Sequence, residues 1–168
     1  PKMDLYEIAR WAKKKGIHLA ASGDWTHPVW LKEISVNLKE RSKGIYGLKD
    51  EPDVSFLLST EVSCIYSQGG KVRRIHAVIF SPSLEVCEKV VAGLTKKGAK
   101  LMSDGRPILG ISAKDLLQFL LEIDKDILFI PAHIWTPWFS LYGSNSGFDS
   151  LEECFGDLKK YIYGIETG

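Results

Sequence analysis

The sequence predicts an α/β protein with a mainly parallel sheet or barrel. Amphipathic helical stretches alternate with short apolar runs, several helices open on a Ser or Asp whose capping partner sits three residues later, and acidic and imidazole side chains cluster around the apolar runs. The 168 residues, 45% of them hydrophobic, suffice for one core and not for two, so residues 1–168 read as a single domain or a large piece of one.

Asp4, with Glu7 three residues on, caps a first helix whose apolar face is Leu5, Ile8, Ala9 and Ala12; Lys13, Lys14, Lys15 and Gly16 suit its carbonyl-rich end. Ile17 to Ala21 is a short buried strand. Residues 30–42 form a second amphipathic stretch, followed by a Gly-, Lys- and Asp-rich loop to about Pro52. The run "VSFLLSTEVSC" is apolar on both faces at its start and too short for a typical helix, which predicts a buried strand. "SQGG" at 67–70 is a turn, and "KVRRIHAVIFS" returns from it as the second arm of a hairpin. Ser83 caps a helix to about Leu94, "SDGRP" is a loop, and Ser112 with Asp115 opens a helix through about Ile123. "ILFIPAH" is a further buried strand, Ser150 with Glu153 opens a short helix to Gly156, and "YIYGIE" is expected as the last strand. Both ends read as cut, because no strand precedes the first helix and the chain stops just beyond its last apolar run; the expectation is a piece of a longer enzyme.

Composition narrows the function. Lysine plus arginine (22) nearly balances aspartate plus glutamate (21), so a net charge of +1 gives no broad field for steering polyanions, and contact with nucleic acid requires a local patch. Cys64, Cys87 and Cys154 are odd in number and widely spaced, which fits neither a disulfide framework nor a zinc knuckle and points to a reducing cytoplasm. No apolar run approaches the roughly 20 residues that cross a bilayer, so no membrane partner is expected.

The chemistry is expected where strands end, since loops converge there on one face of a parallel α/β fold. Asp24 and His27 follow the first strand; Glu61, His76, His133 in "PAH" and Glu166 come from the later ones. Imidazole nitrogen together with carboxylate oxygen suits zinc, manganese or iron better than magnesium. Each has an ordinary alternative: Asp24 can cap the turn before Pro28, His76 can be a satisfied histidine against the sheet, and His18, inside the first strand, is read as structural. Glu61 asks for a partner cation or metal, because a buried lone carboxylate costs several kcal/mol. After His133 come Trp135, Trp138 and Phe139, which either fill the core or form a platform stacking a base. Lys71, Arg73, Arg74 and Arg106 are candidate phosphate-facing charges, Gly105 would let backbone approach a ligand, and "YGSNSGFDS" is either a mobile lid or a plain connection.

The succession "GDWTHP", "LSTEVSCIY", "KVRRIHAVIFSPS", "LMSDGRPILGISAKDLL", "PAHIWTPWFSLYGSNSGFDSLEECFG" and "YIYGIETG" resembles the polymerase and histidinol phosphatase (PHP) domain of the endonuclease Q family over essentially the whole chain. The resemblance implies an incomplete, distorted (β/α)7 barrel with divalent ions (zinc, manganese or magnesium) at the strand ends, two or three in the complete domain. It implies a DNA repair nuclease that nicks 5′ to uracil, hypoxanthine or xanthine, or to an abasic site. By the same resemblance Glu61 is a bridging metal carboxylate, His76 and His133 share a metal, and His27 holds a neighbouring one with Asp24 as ligand or orienter; Glu166 is a further candidate. Glu61, His133 and Asp24 are the expected catalytic residues. Ser103, Asp104, Gly105, Arg106, Trp135, Trp138, Phe139, Ser146 and Gly147 would line the nucleotide pocket. The opening His-x-His and closing Asp-x-His of the family are absent from the sequence, which implies weakened metal occupancy, no appreciable activity from this chain alone, and self-association through unpaired barrel edges. The rival readings are a phosphomonoesterase of the histidinol phosphatase kind and a non-catalytic binding module.

Overall fold

The structure is a computed structural model describing residues 3–103 and 106–167. Most helices form where their caps predict. In α1 (Leu5–Lys14) the Asp4 carboxylate accepts from Glu7 N–H at 2.9 Å, and Leu5, Ala9 and Ala12 are buried. Ser83, Ser112 and Ser150 do the same for α3 (Leu84–Lys96), α4 (Ala113–Ile123) and α5 (Leu151–Phe155). Proline at the first turn of α2 (Pro28–Asn37) costs no hydrogen bond, because that N–H has no partner in a helix.

The expectation of a mainly parallel sheet is corrected: the sheet is largely antiparallel. Its strands are β1 (Leu19–Ala21), β2 (Leu38–Ser42), β3 (Ile45–Leu48), β4 (Ser55–Gln68), β5 (Lys71–Ser81), β6 (Ile108–Leu109) and β7 (Leu128–Pro131). They run in the order β2-β3-β4-β5-β7, every neighbour antiparallel, while β1 and β6 each pair in parallel with β4. The reason lies in the Gly69–Gly70 turn, where φ of 61° and 74° gives the twist a tight hairpin needs and zips β4 to β5 from Gln68↔Lys71 to Leu58↔Ser81. Alternating helices and strands signal parallel crossovers only where no such hairpin intervenes.

Two other expectations change. The stretch 30–42 is helical only to Asn37; "LKER" is rich in helix formers, yet it pairs across Gly44 with β3, and the Arg41 guanidinium donates to the carbonyls of Leu48 and Pro52 at 2.8 Å each. Residues 161–166 form no strand. A 3₁₀ helix (Gly156–Tyr161) takes in the first of them, Tyr163 and Ile165 are exposed, and the segment joins the sheet's end where Glu166 N–H donates to Pro131 C=O and Glu166 C=O accepts from Ile134 N–H.

Period-two alternation gives β4 two different faces. Phe56, Leu58, Val62 and Cys64 are fully buried and continue across the ladder into Ile75, Ala77 and Ile79 of β5, with α3 packed on β5 and α4 beside α3. The other face carries Ser59, Glu61 and Ser63. Burial pushes the Cys87 and Cys154 thiols up to about 12 and Cys64 higher still, so the three free cysteines are inert core residues. Among the described residues no helix is long and apolar enough to cross a membrane.

Candidate metal centre

Glu61 lies within β4 rather than at its end, opposite Val78, with Ser63 opposite His76; Glu61 and His76 are therefore diagonal neighbours on one face of the hairpin. His133 reaches them by a break in the ladder. The β5–β7 register pairs Ala77 with Pro131, so an unbroken strand would send residue 133 to the face away from His76. Instead His133 adopts φ 31°, and its Nε2 comes within 3.0 Å of His76 Nδ1. Glu61 Oε1 closes the triangle at 3.6 Å from His76 Nδ1 and 3.7 Å from His133 Nε2.

This triangle fits a cation. Among the described residues Glu61, His76 and His133 are the group whose ligand atoms converge within 4.8 Å. Glu61 Oε1 is buried without a hydrogen bond, because both imidazole nitrogens are too distant to donate to it. Burial, reinforced by the Arg106 guanidinium and the His133 ring, pushes His76 down to about 4, so its imidazole is neutral and offers a lone pair at ordinary pH. One carboxylate oxygen and two imidazole nitrogens form a donor set that suits zinc.

The three described non-glycine residues with positive φ are Asp24 (43°), His133 (31°) and Phe139 (59°), all of them residues the sequence singled out. Two of the strained residues lie at the triangle and the third in the neighbouring loop. Surrounding contacts hold them. The Glu166 carboxylate accepts from the backbone N–H of His133, so Glu166 braces the strained turn rather than joining the triangle. Phe139 C=O accepts from His76 N–H at 2.9 Å, and the Phe139 ring lies 4.7 Å from the His76 ring.

Asp24 and His27 sit beside this cluster and not in it. They line a cavity of about 500 Å³ with Ala21, Ser22, Gly23 and Trp30. Their loop is stitched to β4 just before Glu61: Ser59 Oγ accepts from Gly23 N–H at 3.1 Å, Ser59 N–H donates to Ser22 Oγ at 3.2 Å, and the Thr26 and Thr60 hydroxyls meet at 2.8 Å. The turn before Pro28 is closed by Asp24 C=O accepting from His27 N–H, so the main chain and not the carboxylate does the capping.

The expected nucleotide-facing residues divide. Trp135 (63% exposed) and Trp138 (50%) stand in solvent, Trp135 against Tyr142 at 5.3 Å and Trp138 under the Arg74 guanidinium at 5.3 Å, so neither fills the core. Ser103 is exposed; Asp104 and Gly105 lie outside the described residues. Arg106 faces Glu61, whose Oε2 accepts from its Nη2 at 2.7 Å. Arg73 is corrected as a phosphate-facing charge: it is buried, donates to Gly147 C=O, and pairs with Glu153 at 3.0 Å. Ser146 and Gly147 are buried too, the Ser146 hydroxyl accepting from Phe139 N–H at 3.2 Å. The "YGSNSGFDS" loop is thus anchored against β5 along part of its length. Sequence reasoning missed Thr136, whose hydroxyl contacts His133; a threonine three residues after a histidine in a proline-containing turn was the available signal.

A solved structure of endonuclease Q in complex with a 27-mer duplex bearing an abasic lesion at the active site superposes on 99% of this chain with a TM-score of 0.81 and 33% identity. The chain has an endonuclease Q-like fold. The lesion-specific endonuclease Q of Pyrococcus furiosus matches equally, with a TM-score of 0.80 and 31% identity over 99% of the chain. This endonuclease Q-like chain spans 38% and 37% of those two proteins. Its sequence is also 27% identical over 135 residues to the uncharacterized protein MJ0043 of Methanocaldococcus jannaschii, covering 80% of this chain and 14% of that protein. No family model matches the sequence.

Proposed function

We propose that this chain is the partial PHP domain, spanning residues 1–168, of a metal-dependent DNA repair endonuclease that nicks 5′ to deaminated bases or abasic sites. The observation that carries the reading is the triangle of Glu61 Oε1, His76 Nδ1 and His133 Nε2, with its buried oxygen left without a hydrogen-bond donor, in a fold that matches lesion-specific nucleases. A divalent ion held there would supply Lewis-acid chemistry, making water acidic enough to attack at neutral pH and stabilising charge on phosphate oxygens.

The chain's own residues take distinct parts. Glu61, the neutral His76 and His133 hold the cation, zinc or manganese suiting them better than magnesium. Asp24 and His27, in the neighbouring cavity, hold a second. Glu166 fixes the His133 turn and is the weaker candidate for direct ligation. Trp135, Trp138 and Arg74 offer π faces and a positive charge to an extruded base and its backbone, with Ser103 and Arg106 on the adjoining loop. That exposed platform supports a polynucleotide over a small phosphate ester. Since the group that converges among the described residues supplies three donors, the 168-residue chain alone is expected to have no appreciable nicking activity.

The test is incision by the full-length gene product, with manganese, of duplexes carrying uracil, hypoxanthine or an abasic site, with p-nitrophenyl phosphate in parallel. Incision 5′ to the lesion that Glu61→Ala abolishes supports the reading. Undiminished nicking by Glu61→Ala, or turnover of the small ester alone, overturns it.

A further inference from the structure

We propose that Thr136 is a positioning residue that locks His133 in its Nδ1–H tautomer and so presents a bare Nε2 lone pair to Glu61 and His76. This deepens the metal-site reading and rests on it only for its consequence in affinity.

The argument is a count of protons. Thr136 Oγ1 lies 2.8 Å from Trp138 C=O, 3.1 Å from His133 C=O and 2.9 Å from His133 Nδ1. A hydroxyl has one proton, and carbonyl oxygens only accept. Were that proton given to Nδ1, the Trp138 oxygen would face a hydroxyl lone pair at 2.8 Å, which is repulsive. The hydroxyl therefore donates to a carbonyl, and the contact at 2.9 Å is Nδ1–H donating to Oγ1. A neutral imidazole protonated at Nδ1 has its lone pair at Nε2, the atom 3.7 Å from Glu61 Oε1 and 3.0 Å from His76 Nδ1, whose N–H donates to it in the metal-free chain and gives up that position to a cation.

The threonine is held to this task. Its N–H donates to His133 C=O at 3.0 Å, closing a turn, and Pro137 restricts its backbone to extended conformations. Exposed histidine in water favours the Nε2–H tautomer, which would block the ligand atom. An outer-shell partner of this kind on a ligating histidine affects metal affinity by 10–100-fold.

The measurement is long-range ¹H–¹⁵N NMR of the metal-free 168-residue chain at pH 8, with His133→Gln identifying the His133 signals. The expected result is Nδ1–H in the wild type and in Thr136→Ser, and a shift towards Nε2–H in Thr136→Val. Zinc binding by calorimetry should weaken 10–100-fold in Thr136→Val and recover in Thr136→Ser. An Nε2–H tautomer in the wild type overturns the proposal whether or not the variants fold, as does an unchanged tautomer in a folded Thr136→Val. Nδ1–H at His133 in this chain, together with a full-length gene product that takes up no zinc, supports the tautomer assignment and defeats the metal reading instead.

Discussion

Arg106 Nη2 lies 2.7 Å from Glu61 Oε2, so the guanidinium holds one carboxylate oxygen and leaves the other, Oε1, turned towards the two histidines. The pair therefore has two opposed effects on a cation in the triangle. It orients the carboxylate, which for a partly exposed ion pair contributes up to about 1 kcal/mol. It also places a unit positive charge beside the site of a divalent ion, and repulsion between charges of +1 and +2 a few ångströms apart exceeds about 1 kcal/mol even at the dielectric of water. Repulsion wins. Arg106→Gln is expected to bind zinc several-fold to tenfold more tightly in calorimetric titration; looser binding would show that orientation dominates.

Zinc should stabilise the folded chain through Glu61. At a free concentration one hundred times its Kd, a ligand that binds only the native state adds about 2.7 kcal/mol, which for a domain of this size raises Tm by roughly 5–11 °C. Glu61→Gln keeps the shape and removes the charge, and its Tm should not respond to zinc. An equal rise in both proteins would place the bound zinc somewhere other than this triangle.

His76 gives the metal-free chain an acid-sensitive stability. Its imidazole falls from 6.5 to about 4 on folding, chiefly through burial. The unfolded chain therefore takes up the proton first: the contribution is full above pH 6.5 and is lost progressively as pH falls to about 4. The shift corresponds to an upper limit of roughly 3 kcal/mol. Urea unfolding in the presence of a chelator should show this loss, and His76→Phe should flatten that limb. A wild-type profile flat from pH 7 to 4.5 would contradict it.

Much of the fold was legible because local chemistry fixed it. Asp4, Ser83, Ser112 and Ser150 announce their helices by capping, and the two glycines of "SQGG" announce the hairpin. What was illegible depends on distant partners. "LKER" has helical propensity and becomes a strand only because "IYGL" lies across from it, while "YIYGIE" has strand propensity and lacks a neighbour along most of its length. At the site, residue types alone did not separate Glu61, His76 and His133 from Asp24, His27 and Glu166, and only the family resemblance grouped the first three. What brings them together physically is a strand register and one strained φ at His133, neither of which residue types display. Arg73 and Arg106 looked alike as exposed cations; one turned inward to Glu153 and the other to Glu61.

Gly147 should be intolerant of a side chain. A Cβ there would stand 2.4 Å from Gly143 N and 2.5 Å from Leu141 C=O, backbone atoms that cannot swing aside. Overpacking of this kind costs about 1–3 kcal/mol. Because Gly147 C=O accepts from Arg73 and neighbouring Ser146 holds Phe139, Gly147→Ala should also disturb the Phe139 ring against His76 and weaken zinc binding. A lower Tm with unchanged zinc affinity would confine the loop to a structural role.

Trp138 offers the sharpest separation of binding from folding. Half-exposed, with the Arg74 guanidinium 5.3 Å from its ring, it packs less than a core ring, so Trp138→Ala should leave Tm within about 2 °C of wild type, in line with surface substitutions. If the ring stacks an extruded base, the same change removes about 1–3 kcal/mol of binding, a fall of 5- to 150-fold in affinity for lesion-bearing DNA. Fluorescence anisotropy with the full-length gene product measures it. Trp138→Phe, which keeps a π face, should recover part of the loss. Equal affinity of Trp138→Ala and wild type for an abasic or uracil duplex would remove the platform from the site and leave the metal triangle to stand without it.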